Sequence, residues 1–332
     1  MKRGAAPIVV GAALSWMLAV SAAQARPLDV SWSMVPAVAP AERHHAHQGG
    51  PVTVVAAGDI ACDPRNALFN NGWGSGGWCR ANAVDKVIRS VDPDAVLALG
   101  DEQYNDGRLK AFQQSYARSW GKELARTYAV PGNHEYYGSH TAYGYFTYFG
   151  AHAGPTRNGW YTVRIGDWRL IALNSNCGIV GCAAGTRQFN WLRSTLDQQP
   201  SRCTVAIMHH PLVSSGPHGD DETHARPLWK LLYRHGVDVA LVGHDHQYER
   251  FAPVNALGVG NRTYGIREFV VGTGGAEHYS VTSVHRYSQV HNSQAYGVLE
   301  LSLTSRGYSW QFDPALGATF TDRGSATCHG AP

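Results

Sequence analysis

Ala95-Val96-Leu97-Ala98-Leu99-Gly100-Asp101-Glu102-Gln103-Tyr104 is a run of five apolar residues cut off by a glycine and a group of oxygen donors. An apolar run this short, without alternation, reads as a strand buried on both faces, which places it inside an α/β sheet. The polar residues then fall just past its carboxyl end, where such sheets collect ligands. The texture recurs along the chain. Val52 to Ala57 leads to Gly58-Asp59, Tyr128-Ala129-Val130 to Gly132-Asn133-His134-Glu135, Thr204 to Met208 to His209, and Val237 to Val242 to Gly243-His244-Asp245-His246. Taken singly these clusters mean little: Asp59 and Asp101 would serve as helix N-caps, Asn133 as a turn residue and His209 as a satisfied core histidine. Taken together they call for another explanation, because carboxylates and imidazoles at the ends of buried strands cost desolvation energy unless metal or hydrogen bonds compensate.

Helical patterns lie between the runs, near Arg80 to Ser90, Leu109 to Ser119, Thr186 to Leu196 and Glu222 to His235. Alternation of strand and helix implies crossover connections and layers. The second half has a different rhythm. Trp160 to Ile165 and Trp168 to Asn174 flank Gly166-Asp167, a hairpin signal, while Glu268 to Val271, Tyr296 to Leu303 and Tyr308 to Phe312 read as further strands. These predict a second, more antiparallel sheet packed against the first. The chain of 332 residues would hold one large or two small domains. No repeat or Pro/Gly-rich boundary divides residues 51–328, so one catalytic domain is expected there.

Charged residues make up only 16% of the chain and aromatics 11%, which suits a globular body and argues against disorder. Lys2 and Arg3 precede an apolar stretch from Pro7 to Ala23, and Ala23-Gln24-Ala25 is a small-x-small cleavage site. Residues 1–25 therefore read as a signal peptide, with a secreted, extracellular or periplasmic product. Loss of Lys2 and Arg3 lowers the formal net charge of +3 by two, to +1, and the remaining charges are dispersed. A nucleic-acid scaffold has no electrostatic support as a partner. After signal removal no stable membrane association is expected, since no later segment has the ~20 apolar residues of a span. Residues 26–50, with the run His44-His45-Ala46-His47, read as a flexible lead-in. All six cysteines follow it, and an even count in an exported chain favours disulfides over thiolate metal sites. Proximity favours Cys62 with Cys79 and Cys177 with Cys182, which leaves Cys203 to tie down Cys328.

The five clusters resemble the motif set of the calcineurin-like metallophosphoesterases over about residues 51–325. More narrowly they are similar to the purple acid phosphatase-like branch and its exported bacterial relatives. Two details select the branch: Ala61 stands where many members carry a histidine, and Tyr104 replaces a second aspartate. Gly243-His244-Asp245-His246-Gln247-Tyr248-Glu249-Arg250 is similar to that branch's closing motif. The resemblance implies a four-layer αββα sandwich of two mixed β-sheets. It also implies two metal ions, one held by Asp59, Tyr104 and His246 and the other by Asn133, His209 and His244, with Asp101 bridging. Oxygens of Asp and Tyr suit a hard trivalent ion, and imidazoles with a neutral amide suit a borderline divalent one, so Fe(III) beside Fe, Zn or Mn is the expected pair.

Such a pair activates water as a bridging hydroxide for in-line displacement at phosphorus. The expected substrate is a small phosphate monoester. A phosphodiesterase acting on nucleotides or phospholipid headgroups is the alternative, and a non-catalytic extracellular metal-binding protein a remote one. By the same resemblance His134 contacts the phosphate and assists departure of the alcohol, and His218 takes a supporting histidine's place, although Gly216-Pro217 and Gly219 depart from the plant-type pattern. His210 adjoins His209 on a strand and so points to the opposite face, which favours a structural hydrogen bond. Glu102 faces either the site, where it would disfavour dianions, or the surface. Trp73, Trp78, Tyr136, Tyr137 and Tyr143 surround the motifs, either packing loop bases or stacking on an aromatic leaving group.

Overall fold

Runs of β-branched and small apolar residues become the strands. In the computed structural model, which describes residues 50–219, 223–281 and 283–332, β1 (Val52–Ala57), β2 (Ala95–Ala98) and β3 (Thr127–Ala129) pair in parallel. β4 (Tyr161–Ile165) and β5 (Trp168–Ala172) form the hairpin expected at Gly166-Asp167 and open a second sheet. It continues with β6 (Thr204–Ile207), β7 (Val239–Val242), β8 (Tyr248–Phe251), β9 (Arg267–Val271) and β10 (Ser288–Asn292). β11 (Gly297–Thr304), β12 (Gly307–Pro314) and β13 (Arg323–Thr327) then return to the first sheet, where β11 lies antiparallel to β1. Among the described residues one sheet is six-stranded, β13-β12-β11-β1-β2-β3, and the other seven-stranded, β10-β8-β9-β7-β6-β5-β4. The signal-peptide segment and nearly all of the lead-in, with its histidine run, lie outside the described residues.

The division of strands between sheets differs from the expected one. Both sheets are mixed, as the family resemblance implied, and the second is not the more antiparallel one that its patterning suggested. β5, β6, β7 and β9 run parallel in the second sheet, and the β11-β12 hairpin completes the first. Apolar patterning reports that a strand is covered on both faces and is silent about its partner. The edge of β1 away from β2 is filled from the far end of the chain.

Seven α-helices are present among the described residues: α1 (Ala81–Val91), α2 (Leu109–Gln114), α3 (His134–Tyr137), α4 (Tyr143–Phe149), α5 (Cys177–Val180), α6 (Arg187–Gln198) and α7 (Arg226–Arg234). The helix expected from Leu109 to Ser119 stops at Gln114 and continues as 3-10 turns. Tertiary hydrogen bonds draw the backbone off course there: Ser115 Oγ donates to the Cys62 carbonyl (2.7 Å) and Tyr116 N–H to Gln103 Oε1 (3.2 Å).

Alternation along the second sheet shows the layering. Leu170, Ala172, Val205, Ile207, Val239 and Leu241 join the core shared with the first sheet, while Ile171, Ala206, Met208, Ala240 and Val242 pack with Leu192, Leu196, Leu228 and Trp229 of α6 and α7. Val84 and Ile88 of α1 cover the first sheet's other face. The fold is thus a mixed α/β sandwich of two sheets flanked by helices. The sheets are also joined at their carboxyl ends, where Gly58 N–H donates to the Val271 carbonyl and Gly274 N–H to the Gly58 carbonyl, both at 2.9 Å. All six cysteines are paired as proximity favoured, Cys62–Cys79, Cys177–Cys182 and Cys203–Cys328. Cys328 follows β13 of one sheet and Cys203 precedes β6 of the other, away from the carboxyl ends.

Candidate metal centre

Three of the sequence-picked donors sit in left-handed backbone: Asp59 (φ 61°), Asp101 (φ 49°) and His244 (φ 72°). That region is uncommon for residues with a side chain, and observed strain of this kind gathers at functional sites. Each turn follows a strand and swings a donor back over the sheet's end. Glycines make the turns possible. Gly100 has φ 90°, and a Cβ there would lie 2.6 Å from His209 Nδ1, while one at Gly132 would overlap the Asp101 carboxylate.

Asp59, Tyr104 and His246 meet on one side. Tyr104 OH donates to Asp59 Oδ1 (2.9 Å) and lies 2.9 Å from His246 Nε2, which is 3.3 Å from Asp59 Oδ1. Asp101 links this group to the next, its Oδ2 lying 3.2 Å from Tyr104 OH and 3.3 Å from His209 Nε2. His209 Nε2 also lies 3.0 Å from Asn133 Oδ1 and 3.1 Å from His244 Nδ1. Asp101, His209 and His244 offer ligand atoms all within 4.8 Å of one another, a group able to hold a metal ion. Outer contacts aim the donors inward. His209 Nδ1 donates to the Leu99 carbonyl (2.9 Å) and His246 Nδ1 to the Glu277 carbonyl (2.6 Å), so each presents Nε2 to the cluster. Asn133 Nδ2 donates to Tyr137 OH (2.8 Å), which turns its Oδ1 inward.

The buried groups of this cluster shift one another's proton affinity. Burial alone would raise the Asp101 carboxyl, but the imidazoles of His209 and His134 hold it well below the usual range. Burial opposes charge on His209, yet the Asp101 carboxylate outweighs it and pushes that imidazole up to about 9. Burial and then the carboxylates of Asp101 and Asp59 hold the Tyr104 phenol well above its ordinary value. Two buried carboxylates this close require compensating positive charge. Hard oxygens, imidazoles and one amide oxygen are a donor set that fits a hard or borderline cation.

The remaining sequence-picked residues fall around this core. The His134 backbone N–H donates to Asp101 Oδ1 (2.9 Å), its Nδ1 donates to the Asn105 carbonyl (2.6 Å), and its Nε2 lies 3.8 Å from Asp101 Oδ2. The ring of His218 lies 4.8 Å from that of His244 and 5.5 Å from that of Tyr279, with its backbone N–H on Asp245 Oδ1 (3.1 Å). His210 is buried against Ser175 Oγ (2.8 Å from Nδ1), a structural hydrogen bond. Glu102 is not at the surface, being 0% exposed. Of the aromatics, Tyr136 is buried with its hydroxyl accepting from Asn174 Nδ2 (2.7 Å), while Trp73, Trp78, Tyr137 and Tyr143 are exposed. A cavity of about 450 Å³ between Tyr128, Trp160, Tyr161 and Trp191 shares no lining residue with the donor cluster.

Three supporting residues escaped the sequence reading. Glu135, fully buried, accepts the backbone N–H groups of Asp101 (3.0 Å), Gln103 (3.2 Å) and Gly132 (2.8 Å), tying two donor loops together. Tyr279 stacks on His246 with centroids 3.8 Å apart and planes 10° from parallel. Glu268 of β9 accepts the Leu212 N–H (2.7 Å) beneath the loop that leaves His209. Only Glu135 left a signal, standing in the Gly132-Asn133-His134-Glu135 cluster without an assigned role.

Comparison with known proteins agrees with this geometry. The family model for calcineurin-like phosphoesterases matches residues 47–248. The chain is 28% identical over 260 residues to a nucleotide pyrophosphatase/phosphodiesterase of Hordeum vulgare, covering 67% of this chain and 68% of that protein. It is 29% identical over 193 residues to acid phosphatase type 7 of Danio rerio, covering 48% of this chain and 42% of that one. The structure of a purple acid phosphatase from yellow lupin (Lupinus luteus) seeds superposes with a TM-score of 0.66 at 21% identity, over 85% of this chain and 55% of that one. The chain thus spans under half of the zebrafish relative and about half of the lupin protein. With its two-sheet sandwich and a donor cluster at the sheets' carboxyl ends, it belongs to the calcineurin-like phosphoesterase family.

Proposed function

We propose that this protein is a two-cation phosphohydrolase that cleaves phosphate monoesters, working after export. The observation that carries the reading is the convergence of Asp101, His209 and His244 within 4.8 Å, with Asp59, Tyr104, Asn133 and His246 hydrogen-bonded around them. Asp59, Tyr104 and His246 form one donor set, Asn133, His209 and His244 the other, and Asp101 serves both. Held there, a pair of cations, Fe(III) with Fe, Zn or Mn, would polarise a phosphoryl oxygen and make a water acidic enough to attack it. The chain's own residues do the rest. His134, with Nδ1 2.6 Å from the Asn105 carbonyl, would turn Nε2 toward the departing alcohol and assist its departure. His218, beside His244, flanks the position of the phosphate. Residues 51–328 form the catalytic domain, and residues 1–25 direct export, a reading supported by the complete pairing of the six cysteines.

A phosphodiesterase is the second reading, favoured by the likeness to the barley nucleotide pyrophosphatase/phosphodiesterase. The test is metal analysis of the purified protein followed by a panel of matched phosphate monoesters and diesters. Monoesters are expected to turn over faster, and a preference for diesters would transfer the assignment. Asp101→Asn removes a charge from the shared donor and is expected to lower kcat by at least about a hundredfold, on the scale of losing an electrostatic stabiliser. Unchanged turnover in that variant would reject a hydrolytic site at these residues.

A further inference from the structure

An exposed aromatic residue is ordinary on a protein surface and needs no explanation. Tyr137 differs because both ends of its side chain are fixed into the donor cluster while the residue remains 65% exposed. Its hydroxyl accepts Asn133 Nδ2–H at 2.8 Å. Its ring lies 4.6 Å from that of His134, which in turn lies 4.4 Å from that of Tyr104. A line of three rings therefore runs from the buried carboxylates to solvent, with Tyr137 outermost. Two of the neighbouring aromatics are engaged elsewhere, while Trp78 and Tyr143 are exposed. Tyr136 is buried and hydrogen-bonded to Asn174, and the Trp73 ring is covered by the Lys86 ammonium at 4.4 Å. α3 produces the arrangement. It begins at His134 immediately after Asn133, and its short span places residue 137 one turn on, over the same donor loop.

We propose that Tyr137 is a substrate-contacting platform that selects phosphate monoesters whose leaving alcohol carries a planar aromatic ring. The inference rests on the hydrolase reading above. A leaving alcohol on the His134 side of the donor cluster lies beside Tyr137, whose ring is 4.6 Å from that of His134, so an aryl or nucleobase group attached to it meets the exposed ring. Offset stacking of that kind contributes a preference on the order of 2- to 12-fold over an alkyl group. The hydroxyl has a separate task, orienting the Asn133 amide, and the two can be pulled apart by substitution.

The experiment measures calorimetric binding of two inert analogues, phenylphosphonate and methylphosphonate, to the metal-loaded protein. Wild type is expected to bind the phenyl compound more tightly within that range. Tyr137→Ala should bring the ratio close to one. Tyr137→Phe should weaken both ligands alike through Asn133 and keep the ratio, and Tyr137→Trp should keep or widen it. A ratio unaltered in Tyr137→Ala, or already near one in wild type, overturns the platform. Turnover of monoesters in the same preparations separates the two levels: hydrolysis without phenyl preference removes only the platform, while a wild type that binds neither analogue and hydrolyses no monoester removes the hydrolase reading and the platform with it.

Discussion

Tyr104 shows how a single side chain reports the chemistry of its surroundings. Its phenol is buried, bonded to Asp59 and Asp101, and held well above its ordinary pKa by burial and by those carboxylates. Phenolate would form there if a bound cation replaced the proton, which the proposed Fe(III) would do more readily than a divalent ion. Protein loaded with iron is therefore expected to absorb in the visible through phenolate-to-iron charge transfer, and Tyr104→Phe to bleach it. An active, colourless zinc or manganese form that excludes iron would remove the iron assignment and leave the hydrolase standing. Tyr104 was picked out through the family resemblance, in which it replaces a second aspartate. Tyr279 and Glu268 were not, because each acquires its role from a contact made across the fold: a ring that meets His246 and a carboxylate that slides beneath Leu212.

At the scale of elements, the loop from Leu212 to Gly216 is carried on buried acids from two strands. Glu268 of β9 accepts the Leu212 N–H, and Glu249 of β8 accepts the Ser215 N–H at 2.9 Å. Burial, opposed in part by the N–H groups of Leu212 and Val213 and reinforced by Glu249, pushes the Glu268 carboxyl up to about 8. A raised carboxyl stays protonated in the fold while the unfolded chain ionises, so this contribution is complete below about pH 4.5 and is lost as pH rises toward 8. Glu268→Gln should flatten that decline, which amounts to at most about 1.4 kcal/mol per pH unit, in urea unfolding curves taken from pH 5 to 9. Parallel slopes for variant and wild type would count against it. Most strands were legible, β1 to the residue, because both their faces are apolar. β8, β10 and β13 were not: Tyr248-Glu249-Arg250-Phe251 carries two charges, and Ser288-Gln289-Val290-His291-Asn292 and Arg323-Gly324-Ser325-Ala326-Thr327 are polar edge strands defined by their partners.

For the whole molecule, the important fact is that the donors come from both sheets. Asp59, Asp101, Tyr104 and Asn133 follow strands of the first sheet, while His209, His244 and His246 follow β6 and β7 of the second. A cation bound by both groups stabilises the folded chain by about 2.7 kcal/mol at a hundred times its dissociation constant. Melting temperature should accordingly rise with added Zn, Mn or Fe and fall with a chelator, and a melting curve indifferent to all three would mean that no ion bridges the sheets. The other end of the sandwich is fastened differently. There Cys203–Cys328 joins β13 to β6 across a separation of 125 residues, and His329 N–H donates to Asp238 Oδ1 at 2.7 Å. Mineral scarcity and a reducing milieu would therefore loosen opposite ends of the same sandwich: the first would leave the donor end held by hydrogen bonds such as those of Gly58 to Val271 and Gly274 to Gly58, and the second would remove the cystine at the other end.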